Sequence, residues 1–191
     1  IYVAMARGVG GIGASTPTGL PIMGIYRSTN ALSASPTFTL INVAPSGDKR
    51  IMDILLDVND ATRNTLIATV METATVGPTG EGGIYRTTNL QSGTPTFTRV
   101  MTPTANARIE LAQVGTTYVA AVGELVSGSS YGRVYVSSNG INWSSVAGGA
   151  GFCGGQCWYD IALAVDHVNP QIIHLGGAAN SGAARVMIRS S

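Results

Sequence analysis

The chain repeats one short phrase at similar intervals along its length. GIYRSTN, Gly24 to Asn30, returns as GIYRTTN, Gly83 to Asn89, and RVYVSSN and VMIRSS align with them. The residues aligned on the arginine of the phrase are 59, 50 and 53 residues apart, namely Arg27, Arg86, Val136 and Arg189. Repetition at this period indicates an array of similar units, each made of a few secondary-structure elements.

Each unit contains four short apolar runs bounded by Gly, Pro, Ser, Thr and Asn, which is typical of β-strands. The first run, such as DIALAV (Asp160 to Val165), has few large polar groups and suits a strand buried on both faces. The third run alternates, so that Ile25 and Arg27 face one way and Tyr26 and Ser28 the other. Four antiparallel strands per unit of about 40 to 50 residues predict an all-β fold, a β-propeller of four-stranded blades.

The strand runs do not divide into complete units. The first unit lacks its opening strand and the last ends before its closing strand, which gives three, four, four and three strands, or about three and a half blades. The approximate units are 1–43, 44–101, 102–147 and 148–191. An open propeller leaves an apolar face and unpaired strand edges in water. We therefore expect a partial propeller, either a fragment of a longer chain or a subunit that completes its propeller with neighbouring chains.

Composition argues against two classes of partner. Charged residues make up 11% of the chain, the net charge is +1, and there is no basic run. Nucleic-acid binding requires a clustered Lys/Arg surface, so we expect no nucleic-acid partner. No run of about 18 apolar residues is present, so we expect no insertion into a membrane.

The segment SSNGINW resembles the Asp-box turn of BNR-repeat propellers, with Asn139 in place of the aspartate and one residue missing. In such a turn Ser137, Asn139 and Gly140 would form the bend, and Trp143 would pack beneath it. YDIALAVDHVNPQIIHLGG resembles a phrase of sortilin-type and xyloglucanase-type propellers. The resemblance covers nearly the whole chain and implies the fold. Sialidases, lectins, receptors and assembly factors share that fold, so no single function is implied.

The longest irregular segments are expected to gather on one face of the propeller, because they connect strand two to strand three or one blade to the next. They are Arg7–Met23, Glu72–Gly82, Gly123–Gly132 and Val146–Trp158. Long loops on a rigid scaffold are where binding residues usually lie. The candidate binding residues on these segments are Arg7, Glu72, Glu124, Tyr131 and Trp158.

Catalytic residues are not expected within this chain. Similarity to xyloglucanase-type enzymes implies an aspartate in an Asp-Ile-Gly-Gly context, and no aspartate occupies the equivalent positions. Glu72 and Glu124 are the nearest carboxylates and remain weak candidates, since a carboxylate pair must lie about 5 to 9 Å apart. The alternative is that both are ordinary rim carboxylates. A sialidase-like arginine cluster is disfavoured, because the arginine of YRST recurs with the repeat.

Two cysteines and a few oxygen-rich residues bear on compartment and cofactors. Cys153 and Cys157, separated by Gly-Gly-Gln, are expected to form a local disulfide, which indicates an oxidising compartment and an extracellular or cell-surface location. We expect no cofactor. Asp57–Asn64 is oxygen-rich, and calcium there is a weak alternative, because the segment lacks the glycine and closing glutamate of an EF-hand. His167 and His174 lack the spacing of a zinc site.

Three functions are compatible with these features. The first is a non-catalytic binding or structural module whose loop-bearing face holds a glycan or a protein. The second is a fragment of a glycoside hydrolase of xyloglucanase or sialidase type, with its catalytic carboxylates outside this chain. The third is an assembly subunit that completes its propeller with neighbouring chains.

Overall fold

The described part of the chain consists of β-strands joined by turns. The computed structural model describes residues 1–6, 22–47, 49–71, 80–104, 107–127, 130–158, 160–177 and 187–190. Within these ranges there are fourteen strands and no helix, which confirms the all-β prediction. The described residues accordingly contain no helix of the length and apolarity that crossing a membrane requires.

The strands form four antiparallel sheets, and in each sheet strands that are neighbours in the chain are neighbours in space. Sheet A contains β1 (Tyr2–Met5), β2 (Gly24–Arg27) and β3 (Thr39–Ile41). Sheet B contains β4 (Arg50–Leu56), β5 (Leu66–Met71), β6 (Gly83–Thr87) and β7 (Thr98–Met101). Sheet C contains β8 (Ile109–Val114), β9 (Thr117–Ser127), β10 (Ser130–Ser137) and β11 (Ser144–Cys153). Sheet D contains β12 (Ile161–Val165), β13 (Ile173–Gly177) and β14 (Met187–Arg189). The predicted numbers of strands, three, four, four and three, are confirmed for these residues.

The repeated phrase occupies one structural position in all four sheets. Its aligned residue always lies opposite a residue of the preceding strand, in the pairs Arg27–Tyr2, Arg86–Ile67, Val136–Val119 and Arg189–His174. The sequence repeat is therefore a repeat of strand register. In sheets A, B and C the phrase leads from one strand into the turn before the next.

Consecutive sheets pack face to face in chain order. β1 contacts β4, β4 contacts β8, and β8 contacts β12, so the first strand of each sheet adjoins the first strand of the next. Three apolar clusters fill the spaces between the sheets. The A–B cluster is centred on Ile25 and Leu66, the B–C cluster on Ile67 and Val122, and the C–D cluster includes Phe152.

The second strands of sheets B and C are buried on both faces. In β5, Leu66, Ala68 and Val70 enter the A–B cluster, whereas Ile67 between them enters the B–C cluster. β9 repeats the pattern, because Tyr118, Ala120 and Val122 face sheet B while Val119 and Ala121 face sheet D. Side chains of a strand alternate between the two faces of a sheet, so one apolar strand supplies two interfaces.

Two ends of the sheets can be distinguished for the description that follows. The hairpin end carries the connections β2–β3, β4–β5, β6–β7, β8–β9, β10–β11 and β12–β13. The loop end carries the remaining connections, within and between sheets. Of the four segments predicted as irregular on the loop end, Arg7–Met23 and Glu72–Gly82 lie mainly outside the described residues.

The prediction of irregular segments in sheet C is largely wrong. β9 extends to Ser127 and β10 begins at Ser130, so most of 123–132 is a paired hairpin. β11 continues to Cys153, past residue 147 where the third predicted unit ends. Register shifts interrupt its pairing with β10, and Gly148 and Gly151 have φ values of 81° and 75°. Because such bulges are rich in glycine, the sequence of this strand resembles that of a loop.

The glycine that opens the repeated phrase has a backbone role. Gly24 and Gly83 have φ values of 154° and 143°, which side-chain-bearing residues rarely adopt. A Cβ atom at Gly83 would overlap the carbonyl oxygen of Met101. A Cβ at Gly24 would lie 2.6 Å from Cδ1 of Leu40, a side-chain atom that can move.

We predict that Gly83→Ala destabilises the protein by more than about 2 kcal/mol, because it adds an overlap with backbone to an unfavourable φ. Gly24→Ala is the matched control and should cost about 1 kcal/mol less, since the Leu40 side chain can rotate away. Urea unfolding followed by tryptophan fluorescence measures both. Equal losses in the two variants would contradict this account of the glycine.

Candidate functional site

The structure describes Glu124, Tyr131 and Trp158 among the predicted binding residues, whereas Arg7 and Glu72 lie outside the described ranges. Glu124 is completely buried. Tyr131 is half-buried, pairs with Cys153 across the β10–β11 ladder, and packs against the C–D cluster. Trp158 is 40% exposed, and its indole Nε1 donates to Oε1 of Gln156 at 3.1 Å. Of the three, Trp158 presents the most accessible apolar surface at the loop end.

Glu124 is an internal carboxylate, so the expectation of a rim carboxylate is wrong for this residue. Even-numbered residues of β9 face sheet B, and Glu124 continues that row beyond Val122. Its Oε2 accepts the backbone N–H of Thr104 at 2.7 Å, and its Oε1 accepts the hydroxyl of Tyr135 at 2.5 Å. Arg133 Nε lies 3.0 Å from Oε1 but outside hydrogen-bond geometry, so this contact is an ion pair.

The contacts of Glu124 tie three segments together. They join β9 to β10 through Tyr135 and Arg133, and to the β7–β8 connection through Thr104. Burial, together with the hydrogen bond to Glu124 and its negative charge, raises the pKa of Tyr135 to about 12. A carboxylate that is this fully partnered has a structural role in sheet C.

The predicted turn at residues 137–143 is held by local hydrogen bonds from its backbone N–H groups to the side chains of its own residues. The Ser137 hydroxyl accepts the backbone N–H groups of Asn139 and Gly140 at 3.2 and 2.9 Å. The side-chain Oδ1 of Asn139 then accepts the N–H groups of Ile141 and Asn142, both at 2.9 Å. Gly140 has a φ of 66°, and Trp143 packs against the B–C cluster. The turn residues therefore lie as the sequence predicts.

The same turn recurs in sheets A and B with an insertion. Asn30 donates its N–H to the Ser28 hydroxyl and accepts the N–H of Thr37 at 2.9 Å. Asn89 makes the corresponding bonds to Thr87 and from Thr96. The Asn side chain thus accepts a backbone N–H group of the same turn although the loops differ in length. This recurrence indicates that the turn residues have a structural role, which is to hold the hairpin turns of the sheets.

Cys153 and Cys157 form the predicted disulfide, with a Cα–Cα distance of 5.4 Å. Both residues are buried in the C–D cluster beside Phe152. A buried disulfide is typical of proteins in an oxidising environment. It connects the end of β11 to the turn that leads into sheet D.

Two half-buried carboxylates lie on the first strands of sheets B and C: Asp53, which the sequence predicts to cap backbone amides at the start of a strand, and Glu110, which sequence reasoning missed. Both oxygens of Asp53 accept backbone N–H groups, from Ile54 at 2.8 Å and from Leu111 of β8 at 2.7 Å. Burial raises the pKa of Asp53 in spite of these bonds. Burial also raises the pKa of Glu110, although Arg108 Nε lies 2.6 Å from its Oε1. The available signal for Glu110 was a carboxylate inside the apolar run RIELAQV.

Asp57, at the end of β4, is the centre of a polar cluster at the hairpin end. Its Oδ2 accepts the hydroxyl of Tyr118 at 2.7 Å, and its Oδ1 accepts Gln113 Nε2 at 2.8 Å and the N–H of Asn59 at 2.9 Å. Burial raises the pKa of Asp57, but these hydrogen bonds and the positive charge of Arg86 outweigh it, so the pKa lies below its ordinary value.

A cavity of about 510 Å³ lies between sheets A and B at the hairpin end. Its walls include Tyr2, Arg27, Leu56, Arg63 and Gln91, and no carboxylate lines it among the described residues. A smaller cavity of about 280 Å³ is lined by Arg86, by several threonines of β6, β7 and the turn between them, and by Ile141 in the β10–β11 turn of sheet C. Both cavities adjoin the arginine of the repeated phrase. The sequence showed that this arginine recurs but not that it borders open space.

No described group of three or more His, Cys, Asp or Glu side chains is arranged to hold a metal ion. In the oxygen-rich segment the Asp60 carboxylate accepts the N–H groups of Thr62, Asn64 and Thr65 at 2.7 to 3.0 Å. Hydrogen bonds from Thr62 and Thr65 hold the pKa of Asp60 well below its usual range. In this structure the segment forms a turn held by its own amides.

Comparison with family models, curated proteins and solved structures finds no match to the chain.

We predict that wild-type stability falls as the pH rises from about 10 to about 12, partly through Tyr135. Its folded pKa is about 12 and its unfolded pKa is about 10, so the unfolded state releases the proton first and is favoured above pH 10. Tyr135→Phe should lower the free energy of unfolding at pH 7 by about 1 to 3 kcal/mol and reduce the alkaline loss. Urea titrations at pH 8 to 11.5 measure both effects. An unchanged alkaline slope in Tyr135→Phe would contradict the assignment.

Proposed function

We propose that residues 1–191 form part of a β-propeller that acts outside the cell as a non-catalytic binding or structural module. The observation that carries this proposal is the stacking of four meander sheets in chain order, with β1, β4, β8 and β12 adjacent in succession. Sheets that adjoin through their first strands and share apolar faces are the arrangement expected of neighbouring blades. The register repeat supports the same conclusion, because the repeated phrase lies on β2, β6, β10 and β14 and pairs in the same way with the strand before it in each sheet.

The proposed ligand, a glycan or a protein, binds at the loop end. Trp158 supports this location, since an exposed indole offers a large apolar face next to a polar N–H group. The disulfide behind it anchors the segment that carries Trp158 to the C–D cluster. An anchored aromatic residue loses little conformational entropy on binding, which favours affinity. The buried disulfide also supports an extracellular or cell-surface location.

A non-catalytic role is favoured by the environment of the described carboxylates. Glu124 is enclosed and ion-paired, and both oxygens of Asp53 accept backbone amides. Glu110 is paired with Arg108. A general acid or nucleophile must reach the substrate, and these groups are engaged in holding strands together.

We predict that the wild-type protein binds a glycan on an array and that Trp158→Ala weakens this binding at least about tenfold. Phe38→Ala is the matched control, because Phe38 is an aromatic residue of similar exposure, 46%, at the hairpin end. It should leave binding unchanged.

Loss of glycan binding in Phe38→Ala with retention in Trp158→Ala would contradict a site at the loop end. Cleavage of a bound glycan during the assay would contradict the non-catalytic role and favour the hydrolase alternative. If the wild-type protein binds no glycan, the glycan part of the proposal is wrong and protein ligands remain.

A further inference from the structure

Sheet B shows what accompanies the arginine of the repeated phrase. Arg86 on β6 and Asp57 flank the same end of β5, because Arg86 pairs with Ile67 and the residue opposite Asp57 is Thr65. The positive charge of Arg86 accordingly helps to lower the pKa of Asp57. Asp57 directly follows β4, and its N–H donates to the carbonyl oxygen of Thr65 at 3.0 Å, which extends the β4–β5 ladder by one bond. An apolar strand that ends in an aspartate therefore lies beside β5 and places its carboxylate near Arg86.

The corresponding arginine in sheet A, Arg27, borders the 510 Å³ cavity. Tyr2 of β1 pairs with Arg27 as Ile67 of β5 pairs with Arg86, so β1 corresponds to β5. In the described part of the chain β1 pairs only with β2, and its other edge has no strand beside it. The position that corresponds to β4 and Asp57 is next to this edge and to the cavity.

Arg27 is held in place by the neighbouring sheet. Its Nη1 donates to the carbonyl oxygens of Leu90 and Ser92 at 3.2 and 2.8 Å. A guanidinium carries five N–H donors, so the group retains donors beyond these two bonds. The positive charge is thereby fixed at the cavity wall by contacts that do not neutralise it.

Arg63 supplies a second positive charge on the same cavity. It is exposed, and among the described residues its guanidinium has no hydrogen-bond or ion-pair partner. Its backbone has a φ of 58°, a left-handed conformation that is uncommon for a residue with a long side chain. Gln91 holds this turn, since its Nε2 donates to the carbonyl oxygen of Thr62 at 2.6 Å. Two guanidiniums without a lining carboxylate favour a negatively charged occupant.

We propose that the edge of β1 that is unpaired among the described residues, together with the adjoining cavity, binds an extended polypeptide strand from another chain, which ends in an aspartate that pairs with Arg27 and Arg63. The strand adds to sheet A through main-chain hydrogen bonds, as β4 does in sheet B, and the carboxylate fixes its register. The expected pattern is that of β4 and Asp57, an apolar strand closed by Leu-Leu-Asp. This site lies at the hairpin end, so the proposal is tested independently of the ligand proposed at the loop end.

The experiment uses a fluorescent nonapeptide with the sequence of residues 50–58, RIMDILLDV, titrated with the chain and followed by anisotropy. We expect saturable binding that weakens about tenfold when the closing aspartate of the peptide is replaced by asparagine. Replacing the isoleucine of the peptide that corresponds to Ile54 by proline should abolish binding, because proline does not fit within a paired strand. The two peptide changes test the charge pairing and the strand addition separately.

The protein variant is Arg63→Asn, because asparagine removes the charge and tolerates a positive φ. Since Arg63 is exposed, we expect affinity for the wild-type peptide to fall about two- to fivefold, with no loss for the peptide that carries asparagine. Arg189→Gln is the matched control, an exposed arginine of the same repeat position on sheet D. It should bind the peptide as the wild type does, and circular dichroism verifies that both variants are folded.

Three results would overturn the proposal. One is the absence of saturable binding up to about 1 mM peptide. Another is equal affinity for the aspartate, asparagine and proline peptides, which would indicate non-specific adsorption. The third is complete displacement of the peptide by a uronate oligosaccharide at lower concentration, which would assign the cavity to an acidic glycan.

Discussion

The packing of β5 and β9 on both faces is the interaction on which the rest of the structure depends. Each of these strands contributes alternate side chains to two apolar clusters, so sheets B and C cannot separate from either neighbour without exposing buried surface. Burial of apolar side chains is the main favourable contribution to folding. Alanines at Ala68, Ala120 and Ala121 allow close approach of the sheets, and all three are completely buried. The stacked sheets hold the turns at the hairpin end and the candidate site at the loop end in fixed positions.

Much of the fold could be predicted from the sequence because the repeat carries register information. A strand whose side chains alternate must keep its register, since a shift of one residue would turn every side chain to the other face. The aligned residues Arg27 and Arg86 therefore occupy one position in their sheets, and the strand numbers follow from the spacing. Turn geometry was predictable for a similar reason. Ser137 and Asn139 bond to amides two or three residues away, so the turn is encoded locally.

The candidate sites were less predictable, because they depend on contacts between residues far apart in the chain. Glu124 resembles a loop carboxylate in the sequence, since glycines and serines surround it. Its burial follows from the extension of β9 and from bonds to Thr104 and Tyr135. Because β11 contains several glycines, its sequence likewise resembled that of a loop. Asp57 and Arg86 are almost thirty residues apart, and only the sheet register brings them together. The same register shows that Arg27 in sheet A has no carboxylate at the corresponding position among the described residues.

Hydrogen exchange followed by mass spectrometry tests the central claim, that β5 and β9 are buried between sheets on both sides. The account predicts that amides of Leu66–Met71 and of residues 117–124 exchange most slowly, with protection that approaches the free energy of global unfolding. Amides of β3 and β14, short strands at the edges of sheets A and D, should exchange faster. Exchange of β5 and β9 at the rate of β3 and β14 would contradict the stacked arrangement.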